Sequence, residues 1–379
     1  MSEVAELAAR LVEIESINPD IVAGGSGEMA IARFVAEWCE RAGLETSLEE
    51  AAPGRPNVMA VARGVGGGRS LMLNAHMDTV GVDVMAEPFS GRVEGGRLYG
   101  RGSYDMKGSL AACMLATAEA KRRRLGGDVV LAAVADEEYA SMGTEVVVAG
   151  VRADAAIVTE PTEMQLAVAH RGFVHLEIAT RGRAAHGSRP HLGIDAIAKM
   201  GRLLVGIEEL DARLRSNPTH RLVGSGSVHA SLIEGGQEFS SYPARCVLQA
   251  ERRTIPRETV ALVECEVDEI VTRAGADDPD FSAEVRVLGT REPFEVSEDE
   301  AIVQTVRRHA RAVLGAEPDL VGVSYWADSA LLAAAGIPTV LFGPRGEGAH
   351  AEIEWVDVGD LERCVEIYVA VASELCDSS

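Results

Sequence analysis

The chain has 379 residues, too many for one ordinary core and enough for two domains, and its 47% hydrophobic and 25% charged residues exclude collagenous and disordered classes. Acidic residues outnumber basic ones 59 to 36, and the resulting net charge of -23 matches neither nucleic acid nor an anionic membrane as a partner. The six cysteines are scattered without a C-x-x-C pair, the N-terminal MSEVAELAAR is acidic where a signal peptide is basic, and no apolar run reaches about 18 residues, so a cytoplasmic protein with free thiols is expected.

Residues 3–15 and 27–42 carry apolar positions at helical spacing, the second run entered at Ser26 as an N-cap and closed by Gly43. NVMAVA (57–62) and SLMLNAH (70–76) read as core strands, with the GVGGG run (64–68) as the loop between them. From Met106 to Arg124 the pattern is helical, and DVVLAAV (128–134), a helix near Thr144 and AAIVT (155–159) follow. Strands alternating with helices predict an α/β fold, a mostly parallel sheet flanked by helices. Between 174 and 288 the order becomes VHLEIAT as a strand, a helix from Asp195, strands VHASLIE and CVLQAERR, a helix from Arg257, and the strand SAEVRVL. This predicts an α+β domain (174–288) inserted into a domain built from 1–173 and 289–379. The α/β pattern resumes with helices at 298–314 and 328–336, the strand PTVLFG (338–343) and a closing helix from 358.

In LMLNAHMDTV, His76 and Asp78 stand at i and i+2 where a core strand runs out, which puts both on one face. That is the end of a strand at which α/β proteins build sites, although a lone H-x-D is as readily a structural pair. In YGRGSYDMKGS, three glycines bracket Asp105 ahead of a helix. The P-loop spacing fails because Gly108 follows Lys107, which leaves glycines that turn the backbone so that Asp105 points into a site. After DVVLAAV come Asp136, Glu137 and Glu138, three adjacent anions that repel unless they splay into solvent or a cation neutralises them. With His76 and Asp105 at the same sheet edge, the cation is the better explanation. Glu160 follows AAIVT, and His350 in FGPRGEGAHAE follows the last core strand. His76, Asp105, Glu138, Glu160 and His350 together make a nitrogen and oxygen ligand set suited to zinc-type ions.

These residues closely resemble the family of acetylornithine deacetylases, succinyl-diaminopimelate desuccinylases, aminoacylases and carboxypeptidase G, over nearly the whole chain from ESINPD to AHAEIEWVDV. The resemblance implies a zinc-exopeptidase-like catalytic domain with an inserted lid and dimerisation domain, a homodimer, and two divalent metal ions, Zn2+ with Co2+ able to substitute. It implies that Asp105 bridges the ions, with His76 and Glu160 completing one site and Glu138 and His350 the other. Asp78 would orient His76, the Asp105–Met106 peptide would be cis, and Glu137 would be the general base. His186, in RGRAAHGSRP, would donate to the tetrahedral oxyanion, in dimeric members that of the neighbouring subunit. Arg253, in QAERRTIPRE, resembles the arginine that holds a substrate carboxylate. Arg252 falls on the other face of that strand, exposed or paired; His191 reads as a surface residue, and His170 and Arg171 as structural residues at the domain junction.

Two departures from the family pattern fall near the expected substrate pocket. Ser240, in SSYP, stands where many relatives carry Asn, and Tyr325 and Trp326 stand beside Asp328 where relatives often carry G-G-T-[SD]-D. The resemblance implies a metal-dependent hydrolase that cleaves the amide of a small N-acyl amino acid or related amine, acetyl, succinyl or formyl, bearing a carboxylate. An aromatic or heterocyclic substrate is equally open, because Trp326 can stack on it. A dipeptidase or carboxypeptidase G-like peptidase shares every catalytic residue. A non-catalytic metal-binding protein would have no need of Glu137.

Overall fold

The computed structural model describes residues 1–83 and 85–377. Residue contacts divide the chain into two compact units. The first is Met1–Val168, Val296–Val321 and the chain from Ala327 on; the second is Ala169–Glu295 with Gly322–Trp326.

In the first unit the apolar runs read from the sequence become the middle of one sheet. Val129–Val134, Leu71–His76, Ala155–Val158 and Thr339–Leu341 lie side by side and parallel. Every residue of these four strands is buried, as expected where helices cover both faces. Arg55–Ala62 and then Glu45–Ala52 extend the sheet antiparallel on one side, and Leu166–His170 joins Thr339–Leu341 antiparallel on the other. Glu45–Ala52 is a polar, solvent-facing edge strand, a composition that discourages pairing with another chain.

The helix Gly108–Arg123 is buried on most of its surface because its first turns are GSLAACM, small enough to lie close to its neighbours. A Cβ at Gly108 would come within 2.5 Å of the Ser103 carbonyl. The second N-terminal helix spans Met29–Arg41, and Ser26 does not cap it. Glu28 precedes it, and the Glu28 carboxylate is buried against Arg55 at 2.5 and 2.6 Å rather than free to cap the helix.

In the second unit, Ser227–Gly235, Arg245–Thr254, Gly172–Arg181 and Ala283–Arg291 form an antiparallel sheet in that spatial order. Alternate residues such as Val174, Leu176, Ile178 and Leu248 face the helices Ala196–Ser216 and Val260–Gly275, with Leu203, Ile207, Val263 and Val267 between. Asp195 caps the first helix through the Ala198 N–H. Thr259 caps the second through Leu262, so that helix begins at Val260 and not at Arg257, whose φ is +77°. Among the described residues no helix is long and apolar enough to cross a membrane, and the six cysteines are free.

Candidate metal centre

The centre is assembled at the carboxyl ends of the parallel strands of the first unit. The strand Leu71–His76 delivers a buried His76 whose Nδ1 lies 3.0 Å from the Asp78 main-chain carbonyl. With Nδ1–H donating there, Nε2 is left facing Asp105 Oδ1 at 3.0 Å and Glu160 Oε1 at 3.9 Å. The Asp78 carboxylate stands 3.6 Å from Nδ1 and is mainly used elsewhere. It accepts from Asn18 at 2.8 Å and from the backbone N–H groups of Glu137 and Glu138 at 3.1 and 3.2 Å. Asp78 thus meets the histidine through its carbonyl and the backbone of the glutamate pair through its side chain.

The three-carboxylate run divides. Asp136 has φ +67°, a left-handed conformation that its short polar side chain tolerates. Its carboxylate turns away to Asn18 at 2.9 Å and Arg55 at 3.1 Å, while Glu137 and Glu138 enter the cluster. Asp105 follows Gly102, whose φ is +78°, and its bond to Met106 is cis. Asp105 faces a different histidine with each oxygen, Oδ1 toward His76 and Oδ2 toward His350 Nε2 at 3.5 Å. His350 Nε2 is also 3.0 Å from Glu138 Oε2. Ligand-capable atoms of His76, Glu137 and Glu160 lie within 4.8 Å of one another, and so do those of His76, Asp105 and Glu138.

Electrostatics follow from packing four carboxylates and two imidazoles together. Burial, reinforced by the Glu160 charge, pushes Glu137 well above the usual carboxylate range, and burial with the Asp105 charge does the same to Glu160 and, less strongly, to Glu138. Burial acts on Asp105 too, but the hydrogen bonds from His350 and His76 outweigh it and hold that carboxyl low. For His76 burial is overcome by the Asp105 contact and the Glu160 charge, so it is raised; contacts with Asp105 and Glu138 push His350 to about 10. The raised histidines and glutamates favour added positive charge in the cluster, which a divalent ion would supply. The nitrogen and oxygen donors, converging on a carboxylate with one oxygen toward each histidine, fit borderline divalent ions.

Several residues of this neighbourhood carry no isolated sequence signal. Asn18 bridges Asp78 and Asp136. Asp328 is buried, raised to about 6 by that burial, and accepts from Thr144 at 2.5 Å. Glu354 is buried against the Asp105 loop. The resemblance touches all three, in ESINPD, SYWADSALL and EIEW, but only the fold reveals what they hold.

The remaining predicted residues belong to the second unit. His186 is exposed and shares a hydrogen bond with the Ser188 hydroxyl at 2.7 Å. Gly187 N donates to the Ser240 carbonyl at 2.6 Å, so His186 and Ser240 sit on adjoining segments. Arg253 donates to Glu251 at 2.8 Å with its guanidinium 5.4 Å from the Phe173 ring centre. Trp326 donates from its indole to the Glu292 carbonyl at 3.1 Å, meets His170 edge-on, and has Arg291 over its ring at 5.5 Å. Arg252 is paired but not exposed: it is fully buried between Glu258 and Glu266. His191 is exposed, and His170 is buried against Phe294.

Imidazoles and carboxylates gathered at the ends of parallel strands, beside a glutamate of raised proton affinity, are the makings of a metal-dependent hydrolase. The chain belongs to peptidase family M20/M25/M40, whose family model matches residues 72–374. It is 29% identical to the N-formyl-4-amino-5-aminomethyl-2-methylpyrimidine deformylase of Halalkalibacterium halodurans, over 91% of this chain and 88% of that protein. It is 31% identical to an acetylornithine deacetylase of Myxococcus xanthus, over 87% of this chain and 86% of the relative. Among solved structures, an M20 family metallo-carboxypeptidase from Sulfolobus solfataricus shares the fold with a TM-score of 0.78 and 20% identity, each chain covered in full.

Proposed function

We propose that this protein is a dinuclear metal-dependent amidohydrolase that removes an acyl or formyl group from the nitrogen of a small substrate. The observation that carries the reading is Asp105, one oxygen toward His76 and the other toward His350, with Glu137 beside the cluster. His76 and Glu160 would hold one ion, Glu138 and His350 the other, and Asp105 both; the donor set favours Zn2+, with Co2+ accepted. The ions, when bound, supply Lewis-acid polarisation of the amide carbonyl and acidify water. Glu137 takes the proton from the attacking water and delivers it to the departing nitrogen, as the C–N bond breaks and the water oxygen joins the acyl carbon.

The two relatives are named for removing a formyl and an acetyl group, which supports a deacylase. Arg253 would hold a substrate carboxylate, Ser240 would line the pocket, and His186 would donate to the oxyanion. Trp326, in place of a glycine turn, favours an aromatic or heterocyclic amine. The similarity to a metallo-carboxypeptidase supports the second reading, a peptidase using the same centre. Release of formate, acetate or amino acid from N-formyl aromatic amines, N-acetyl amino acids and dipeptides separates them. Turnover of dipeptides alone would defeat the deacylase. Residues 1–173 with 289–379 would be the catalytic domain, and 174–288 the lid and dimerisation domain. A homodimer is supported by the edge strand Ser227–Gly235, whose Leu232 and Ile233 are 66% and 55% exposed. Free thiols suit a cytoplasmic setting.

A further inference from the structure

Glu354 has almost no contact with solvent, and its carboxylate is saturated by four donors. Oε1 accepts from the backbone N–H groups of Tyr104 and Asp105 at 2.9 and 3.1 Å. Oε2 accepts from the Gly102 N–H at 3.1 Å and from the Arg101 guanidinium at 2.6 Å. Four donors fill the capacity of one carboxylate, and three of the four are main-chain groups of the short loop that aims Asp105. Arg101 extends the link, donating also to the carbonyls of Ala351 at 3.0 Å and Gly81 at 3.1 Å. The Glu354 main chain joins in, its carbonyl accepting from Gly100 N at 3.1 Å.

Glu354 lies four residues after His350. One side chain therefore ties the loop that carries His350 to the loop that carries Asp105, across 249 residues of sequence. The two histidines facing Asp105 are supported differently. His76 ends a strand paired on both sides by Val129–Val134 and Ala155–Val158. His350 stands in a loop with φ +61°, more than half of its side chain exposed. Loosening the tie would leave the His76 side of the centre framed by the sheet and would set the His350 side adrift.

We infer that Glu354 is a positioning residue that sets the spacing between Asp105 and His350 and so governs occupancy of the ion site on the Glu138 and His350 side. This rests on the dinuclear reading above. Removing hydrogen-bond support behind metal ligands typically weakens affinity by about 10–100-fold. Both sites use Asp105 and both feel the change, but the loss is greater on the His350 side, because the sheet still frames His76.

The test is Co2+ titration of metal-stripped protein, followed by visible absorption and calorimetry, on wild type and Glu354→Gln, with the melting temperature of each stripped protein. Wild type binds two Co2+ per chain. E354Q binds the second about 10–100-fold more weakly and the first with a clearly smaller loss, and turnover returns as Co2+ is raised. Glu354→Asp, one methylene too short to reach all four donors, replaces it if the amide variant does not fold, with the same asymmetric loss expected. Two wild-type affinities in the variant overturn the inference, and so does equal loss of both ions with a collapsed melting temperature, the mark of a merely structural residue. Wild type that binds fewer than two ions overturns the dinuclear reading and this inference with it.

Discussion

Replacing Glu137 by glutamine keeps the size and most of the packing of the side chain but removes its ability to accept a proton. General-base catalysis is worth about 10²–10⁴-fold, most where the base's proton affinity is near the working pH. On that range kcat should fall by about 10²–10⁴-fold, or about 3–5 kcal/mol at 1.36 kcal/mol per decade. Metal content should stay at two ions per chain, because Glu137 is not among the five proposed ligands. The assay pairs steady-state rates on an N-formyl or N-acetyl substrate with metal analysis of the same preparation. A variant within tenfold of wild type would refute the assignment. So would a variant that loses an ion while Glu138→Gln keeps both, because base and ligand would then be exchanged.

Glu138→Gln should bind one ion where wild type binds two, since His350 Nε2 and Glu138 Oε2 face each other at 3.0 Å; elemental analysis after dialysis reads this directly. In the metal-free protein the contribution of the cluster to stability should shrink as pH rises. His350 is raised from 6.5 to about 10, so its contribution is complete below pH 6.5 and disappears as pH climbs through about 10, and the raised Glu137 and Glu160 act in the same sense from lower pH. Buried Lys107, lowered to about 7 by that burial, acts in the opposite sense over the same range, so the cluster's part is read as the difference in melting temperature between stripped wild type and stripped His350→Ala, which should narrow between pH 6.5 and 10; a constant or widening gap would contradict the electrostatic account. If His186 serves the neighbouring subunit, mixing His186→Ala with Glu137→Ala should restore part of the activity, because each heterodimer then holds one intact site. Subunit exchange shown by mass spectrometry without recovered activity would rule that arrangement out.

The sheet was legible because its strands are short apolar runs, and the cluster was legible because histidine, aspartate and glutamate recur where those runs stop. The edge strand Glu45–Ala52 was not, since TSLEEAA is polar on a face that meets solvent and lacks the alternation that marks a half-buried strand. Ser26 looked like a helix cap by residue type alone. The true start depends on Glu28, whose carboxylate is claimed by Arg55, a partner 27 residues away that no local pattern reveals. Arg252 is the same kind of case. Its alternation was correct, but burial needed Glu258 and Glu266, the latter on the helix that packs over that face. The supports of the centre, Asn18 across to Asp136 and Glu354 across to Asp105, join segments more than a hundred residues apart and appear only in three dimensions.

The central claim is that hydrolysis requires two divalent ions held by His76, Asp105, Glu138, Glu160 and His350. Its most direct measurement is turnover of N-formyl and N-acetyl substrates by chelator-stripped protein, followed as Zn2+ or Co2+ is returned in steps. The account predicts no turnover without metal and a maximum at two ions per chain. Full turnover by stripped protein, or two ions bound with no hydrolysis of any N-acyl or peptide substrate, would contradict it.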